Sequence, residues 1–334
     1  MTDDPPPKDC EASKWHSRQK HEFLKAYLSI WTDHVGRGGS SRPPLEVVDG
    51  FAAFGWCRSI EPEVSKAPWE GTAVLAAKAL VKYPAAKRLI LNSYDPANGP
   101  QQGHQLGCLK RAIAKVAGVN PRFAVEYLAE PIGDAVTHAE GIMDFRYPTL
   151  WLLDPYSPEE LPWTTIERIA THSYTYTTKR GTLETRRPEM FITLMTQALQ
   201  RNVDLHPEMI TSALGLPESD WRTRVEEMVR AGANKRQALI SIYGQRLRAL
   251  YDRPPIVIEV QGSGRNIIYA LFLCSNHDAG QFMMLSRKLR QYSSWREHEW
   301  TPQARRISRD RSRQRKAGDA SFQAGLDSDR FENG

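Results

Sequence analysis

"LEVVDGFAAFGW", residues 45–56, is the stretch on which the reading of this chain turns. An apolar run stops at Asp49 and Gly50, and the small residues Ala52, Ala53 and Gly55 follow at once. Two readings fit, a cofactor cradle or an ordinary tight strand-to-helix turn. Ligands in open parallel sheets bind beyond the carboxyl ends of the strands. A turn of small residues there lets the backbone approach a ligand closely, because little side chain intervenes. The stretch lacks the full G-x-G-x-x-G fingerprint and no Walker lysine follows it, which argues against a dinucleotide or triphosphate site.

Further apolar runs follow at 88–92, 122–128, 149–154 and 189–195. Helical spacing fills the intervals at about 70–83, 103–118, 132–143 and 159–173. Strands alternating with helices predict a parallel sheet covered on both faces. Upstream, "KHEFLKAYLSIW" places Phe23, Leu24, Tyr27, Leu28 and Trp31 at helical spacing, and the Gly- and Pro-rich "GRGGSSRPP" ends that helix. Residues 206–250 read as two or three helices, amphipathic and basic on the polar side: an insertion that would form a substrate lid or a small module. Runs at 255–261 and 266–275, joined through Gly-Ser-Gly, read as a hairpin. A last helix spans "DAGQFMMLSRKLRQY", with Asn276 or Asp278 as its N-cap. Five parallel-type strands and then a hairpin resemble the Rossmann-like, seven-stranded α/β sheet of class I S-adenosylmethionine-dependent methyltransferases, whose last strand inserts antiparallel. Residues 15–300 are expected to form that domain, with 1–14 and 301–334 disordered.

Composition fits a globular protein, at 40% hydrophobic and 25% charged residues in 334. No run approaches about 18 apolar residues, so no membrane span is expected. "MTDDPPPKDC" is acidic and Pro-rich and does not read as a signal peptide. Cys10, Cys57, Cys108 and Cys274 lie far apart, without the pairing of a zinc site, and are expected to be reduced thiols in a cytoplasmic protein. The formal net charge is +6, and the stretch 304–316, "ARRISRDRSRQRK", carries a net +6 by itself. The rest of the chain is therefore neutral and no basic clamp. The tail reads either as an electrostatic arm for nucleic acid or as a solvated end.

"WLLDPYS" is the second site candidate: the fourth strand ends in Asp154, followed by Pro155, Tyr156 and Ser157. It resembles the D-P-P-Y and D-P-F-G motifs of methyltransferases that act on exocyclic amines. A planar amine is a poor nucleophile because its lone pair is delocalised. An acceptor such as Asp154 can bind its N–H and favour a pyramidal nitrogen, Pro155 stiffens the turn, and Tyr156 can stack on a flat substrate. The plainer alternative is an Asp-Pro turn that closes a strand. Weaker candidates are Asn92 and Asp95 after the second strand, for a ribose, and Glu130 and Asp134 after the third, for an adenine amine. Asn276 and His277 follow the last strand, where the histidine would be a general base or a packing residue. Trp151 and Phe191 are read as core.

"KHEFLKAYLSIW", "VVDGFAAFG", "LWLLDPYSPEELPW", "MFITLMTQALQRN" and "YALFLCSNHDAGQFMM" together resemble the three-Cys-motif partner (TcmP) proteins, in that family's order and over about residues 15–290. The resemblance implies a class I methyltransferase-like fold with S-adenosylmethionine as cofactor. It also implies a partnership with a radical-SAM-like protein containing three cysteines. On it, Asp49, Gly50, Phe51, Ala52 and Gly55, with Asn92 and Glu130, would frame the cofactor, and Asp154, Pro155 and Tyr156 would hold the methyl acceptor. The chain departs from the family at Asn92, where an acidic residue is usual, at Leu128-Ala129-Glu130, in place of Gly-Asp, and at Ser157, in place of Gly. The expectation is a methyltransferase acting on an exocyclic amine of a nucleobase in nucleic acid. The rival expectation is a non-catalytic partner with a degenerate methyltransferase fold that binds nucleic acid or the three-Cys protein. Another nucleotide-dependent enzyme on a similar sheet ranks third.

Overall fold

A computed structural model describes residues 11–13, 15–35, 43–60, 67–94, 102–118, 120–177, 181, 183–251, 253–261 and 267–276. The Arg-rich stretch 304–316, the expected helix after Asp278, Cys10, Asp95 and His277 lie outside the described residues. In chain order the elements are β1 (Glu11–Ser13), α1 (Trp15–Val35), β2 (Leu45–Asp49), β3 (Trp56–Ser59), β4 (Trp69–Glu70), α2 (Thr72–Val81), β5 (Lys87–Asn92), α3 (Gln102–Ala117), β6 (Phe123–Leu128), α4 (Ile132–Ile142) and β7 (Thr149–Leu153). Then follow α5 (Trp163–Thr171), the hairpin β8 (Tyr174–Thr177) and β9 (Leu183–Arg186), β10 (Glu189–Leu194), α6 (Thr196–Asn202), α7 (Pro207–Leu214), α8 (Glu218–Arg230), α9 (Lys235–Leu250), β11 (Ile256–Gln261) and β12 (Ile267–Cys274).

Seven strands form one sheet in the order β11-β12-β10-β7-β2-β5-β6. Strands β2, β5, β6, β7 and β10 run parallel, and β12 runs antiparallel between β10 and β11. Successive strand side chains point to opposite faces. Leu45 and Val47 of β2 and Leu150 and Leu152 of β7 therefore meet α1, α2 and α3, whereas Val48, Trp151 and Leu153 meet α4, α5 and the later helices. Burial on both faces is why these strands are nearly continuous apolar runs. The chain steps outward from β2 to β5 and β6, then crosses back to β7 on the other flank of β2. The strand order thus reverses between β2 and β7, and such a reversal opens a crevice beyond the strand ends.

The expected insertion at 206–250 is three helices, and it is part of the core. Ala238, Leu239, Ile242 and Leu247 are fully buried, and Tyr243 packs against Trp163 and Phe272. Local chemistry delimits these helices. Pro207 opens α7, Gly215 closes it in a left-handed conformation (φ 61°), and Asn234 and Gln237 form a reciprocal capping box on α9. Disorder was expected through residue 14, but Glu11–Ser13 form β1, which pairs parallel with β3. With β4 these strands make a small three-stranded sheet beside the main one. Strands of two to four residues leave no readable periodicity, so this sheet was invisible in the sequence. Among the described residues no helix is long and apolar enough to cross a membrane.

Gly215 and Gly118 both have positive φ, 61° and 57°. A Cβ at Gly215 would lie 2.2 Å from Cδ1 of the buried Trp163, whereas one at Gly118 would meet nothing within 4 Å. Gly118→Ala should cost about 1–2 kcal/mol of left-handed strain. Gly215→Ala should cost a further 1–3 kcal/mol or so from overpacking. Urea unfolding midpoints of the two variants check the order, and equal losses would refute the role of Trp163.

Candidate functional site

Beyond the ends of β2 and β7 the structure has a cavity of about 120 Å³. Three segments distant in sequence meet there. Asp154, Pro155 and Tyr156 come from the end of β7, Phe51 to Ala53 and Gly55 from the turn after β2, and Ser17, Lys20 and His21 from α1. Glu11 of β1, Cys57 of β3, Thr72 of α2 and Tyr269 of β12 complete much of the wall. The two sequence motifs singled out independently, after the first and fourth parallel strands, therefore open on one space.

The turn after β2 is pinned at nearly every residue. Gly50 N–H donates to Leu152 O (2.9 Å), Ala52 N–H to Asn92 O (2.8 Å), and Ser93 Oγ to Ala53 O (3.1 Å). Ala53 is held at φ 45°, a left-handed conformation unusual for a residue with a Cβ, and it lines the cavity. Asp49 is fully buried; its carboxylate accepts the Thr72 hydroxyl and the Phe51 N–H (3.2 Å). It stands behind the wall, bracing the turn against the first residue of α2.

The glycines of this turn serve packing more than open space. A Cβ at Gly50 would come within 2.8 Å of Ile132 Cδ1 and 3.3 Å of Leu153 Cδ2. At Gly55 it would press on Leu109, Ala112 and Val74 at 3.2–3.3 Å, and φ is 81°. Asn92 likewise faces inward. Its amide donates to Glu130 O (2.9 Å) and Gly50 O (3.2 Å) and its oxygen accepts Glu130 N–H (3.1 Å), which clamps the ends of β2, β5 and β6 together. The Glu130 side chain lies near His138, at 3.7 Å. Asn92, Glu130 and Asp134 are not among the residues lining the cavity.

Lys20, His21 and Glu11 went unnoticed in the sequence, yet they set the electrostatics. Lys20, buried on α1, ion-pairs with Asp154, and its ammonium lies 5.7 Å from the Tyr269 ring centroid. His21 Nδ1 accepts the Trp69 indole N–H at 2.9 Å, and burial pushes the imidazole down to about 3. Burial pushes Asp49 up to about 7, against its hydrogen bonds from Thr72 and Phe51. Burial likewise lifts Glu11 to about 7, with Lys20 opposing. A signal was present: Ser17, Lys20 and His21 continue the stripe of Leu24, Tyr27, Leu28 and Trp31. Polar residues on the buried stripe of a helix mark the place where it stops facing core. Cys57, Cys108 and Cys274 are free thiols, and no group of three or more His, Cys, Asp or Glu among the described residues is placed to hold a metal ion.

Neither a protein-family model nor a curated protein matches the sequence. A solved structure that is similar is protein LPL1258 from Legionella pneumophila str. Philadelphia 1, described as DUF519. The TM-score is 0.44 at 10% identity, over 85% of this chain and 94% of that one.

Glu11 and Asp49 titrate near 7 in the folded chain and near 4 when unfolded. Between those values the folded state holds the extra protons, so their contribution makes stability fall as pH rises from about 4 through 7, then level off. The double variant Glu11→Gln/Asp49→Asn should lose less stability than the wild type between pH 5 and pH 8 in urea titrations. An unchanged slope would show that neither carboxyl is perturbed as described.

Proposed function

We propose that the chain is an S-adenosylmethionine-dependent methyltransferase acting on an exocyclic amine of a nucleobase in nucleic acid. The observation that carries this reading is the meeting of the turn after β2 with Asp154-Pro155-Tyr156 in one cavity, at the point where the strand order reverses. The strand order supports it too, since an antiparallel last strand between the fifth and sixth is what a class I methyltransferase sheet has. The lining suits the cofactor: Glu11 and Asp154 line the cavity and Asp49 stands just behind it, and a sulfonium cation held there would favour the ionised forms of Glu11 and Asp49 against the burial that raises them.

S-adenosylmethionine supplies an electrophilic methyl group on sulfonium, a good leaving group, so positioning provides most of the catalysis. The Lys20 ammonium engages Oδ2 of Asp154. The other oxygen, Oδ1, is then the acceptor for an amine N–H, which draws the nitrogen lone pair out of conjugation. Tyr156, 46% exposed, offers its ring to the face of a base. Its backbone N–H is anchored on Glu160 Oε2 at 2.9 Å, so the turn is held when the ring is loaded.

A second reading rests on Asn92. In nucleotide-binding sheets an acidic side chain at that strand end commonly holds the ribose, and here an amide fills the position with its polar atoms turned to the backbone. A chain that has given up the ribose contact is instead a partner protein, in company with nucleic acid or a three-Cys radical-SAM-like protein.

Transfer of labelled methyl from S-adenosylmethionine to total RNA and DNA tests the first reading, with calorimetry of cofactor binding beside it. Asp154→Asn, which keeps one oxygen for the Lys20 ammonium but offers the amine no second acceptor, should lower transfer by about 10²-fold or more while binding S-adenosylmethionine within a few-fold of wild type. Undiminished transfer by that variant removes Asp154 from the mechanism. A folded wild type that binds no S-adenosylmethionine favours the partner reading.

A further inference from the structure

His21 sits where an ordinary core histidine would be expected, one turn before Leu24 and two before Leu28 on the buried stripe of α1. Its environment fixes its proton. An indole N–H is a donor only, so the 2.9 Å bond from Trp69 Nε1 requires Nδ1 to be an unprotonated acceptor. Burial, reinforced by the neighbouring Lys20 ammonium, holds the ring neutral. A neutral imidazole with a bare Nδ1 carries its hydrogen on Nε2. Among the described residues the bond to Trp69 is the ring's one hydrogen bond, and His21 is among the residues that line the cavity. The two nitrogens point to opposite sides of an imidazole, so Nε2–H is turned away from Trp69.

The neighbours on the same helix face have matching chemistry. Ser17, Lys20 and His21 stand at i, i+3 and i+4, the spacing that puts side chains together on one face, and all three line the cavity. A hydroxyl, an ammonium and an N–H therefore share one wall, while the carboxyls Glu11 and Asp154 contribute to the others. A cavity with donors on one wall and carboxyls on others complements a zwitterion.

We propose that His21, locked by Trp69 as the Nε2–H tautomer, is a ligand-binding residue that donates to a carboxylate of the bound molecule. Under the methyltransferase reading, on which this identification of the ligand rests, that group is the carboxylate at the methionine end of the cofactor. Trp69 is a positioning residue: it touches no ligand and acts by choosing the tautomer.

Calorimetry with S-adenosylhomocysteine and with 5′-methylthioadenosine, which lacks the amino-acid end, tests the assignment. His21→Phe should weaken S-adenosylhomocysteine by roughly 10-fold or more and leave 5′-methylthioadenosine unchanged. His21→Gln, whose amide N–H can stand in for Nε2–H, should recover part of the loss. Equal affinity for S-adenosylhomocysteine in wild type and His21→Phe overturns the proposal. Long-range ¹H–¹⁵N spectra of the free wild type should show His21 as the Nε2–H tautomer at pH 7, and Trp69→Phe should give a mixture. A protonated ring or the Nδ1–H tautomer in the wild type overturns it as well. If the wild type binds no S-adenosylhomocysteine, the methyl-donor reading fails, and acetate becomes the deciding probe. A shift of the His21 Nε2 resonance on acetate titration then upholds the carboxylate site, and an unmoved resonance rejects it.

Discussion

The ion pair between Lys20 and Asp154 joins the first helix to the end of β7 across 134 positions of sequence, and the geometry of the cavity depends on it. Both side chains are largely withdrawn from water. Removing one partner of such a pair typically costs about 3–5 kcal/mol, because the other charge is left stranded. Replacing both by apolar groups costs far less, so a buried pair is better understood as a locating device than as a source of stability. Here it brings the donor face of α1 opposite the carboxylate at the β7 end. Without α1 in that position, Asp154 would stand at the end of a sheet with no facing wall.

A second constraint runs behind the wall. Asp49 is buried at the end of the central strand, where it accepts from the Thr72 hydroxyl and the Phe51 N–H. One carboxylate thus ties the sheet, the turn and the start of α2 together. Asn92 does the same for the backbones of Gly50 and Glu130. These polar clamps explain why the turn can hold Ala53 in a left-handed conformation, since a strained residue persists only where its surroundings over-determine it. They also explain why residues that read as ligand contacts in the sequence prove to be the scaffold of the site. Gly50 lacks a Cβ because Ile132 and Leu153 occupy that space, and a glycine required by packing and one required by a ligand look alike in a sequence.

Much of the fold was legible for a simple reason. A strand buried on both faces must be apolar throughout, and β2 begins and ends where the run from Leu45 to Asp49 does. The other parallel strands fall within a residue or so of the expected limits, because the polar and Pro/Gly breaks between runs are sharp. The small sheet of β1, β3 and β4 was not legible, since pairs of two to four residues draw their stability from tertiary neighbours. The hairpin β8–β9 was missed for a related reason: among its described side chains Tyr174, Thr175, Leu183 and Thr185 are exposed, so no buried position among them imposes an alternation.

What the sequence determined by itself is the alternation of strands and helices, the limits of the apolar runs, and the two motifs at Asp49 and Asp154, because periodicity and turn chemistry are local properties of the chain. What only the tertiary structure decided is which polar residues face the cavity. Lys20 and His21 lie with Ser17 at the end of a helical stripe whose other members are core; their polarity marks where the helix stops facing core, but it does not say that the end of a sheet lies opposite. That depends on the return of the chain from β6 to β7, which sets β7 beside β2 although those two strands are far apart in sequence. The proton on His21 depends on a tryptophan 48 positions away.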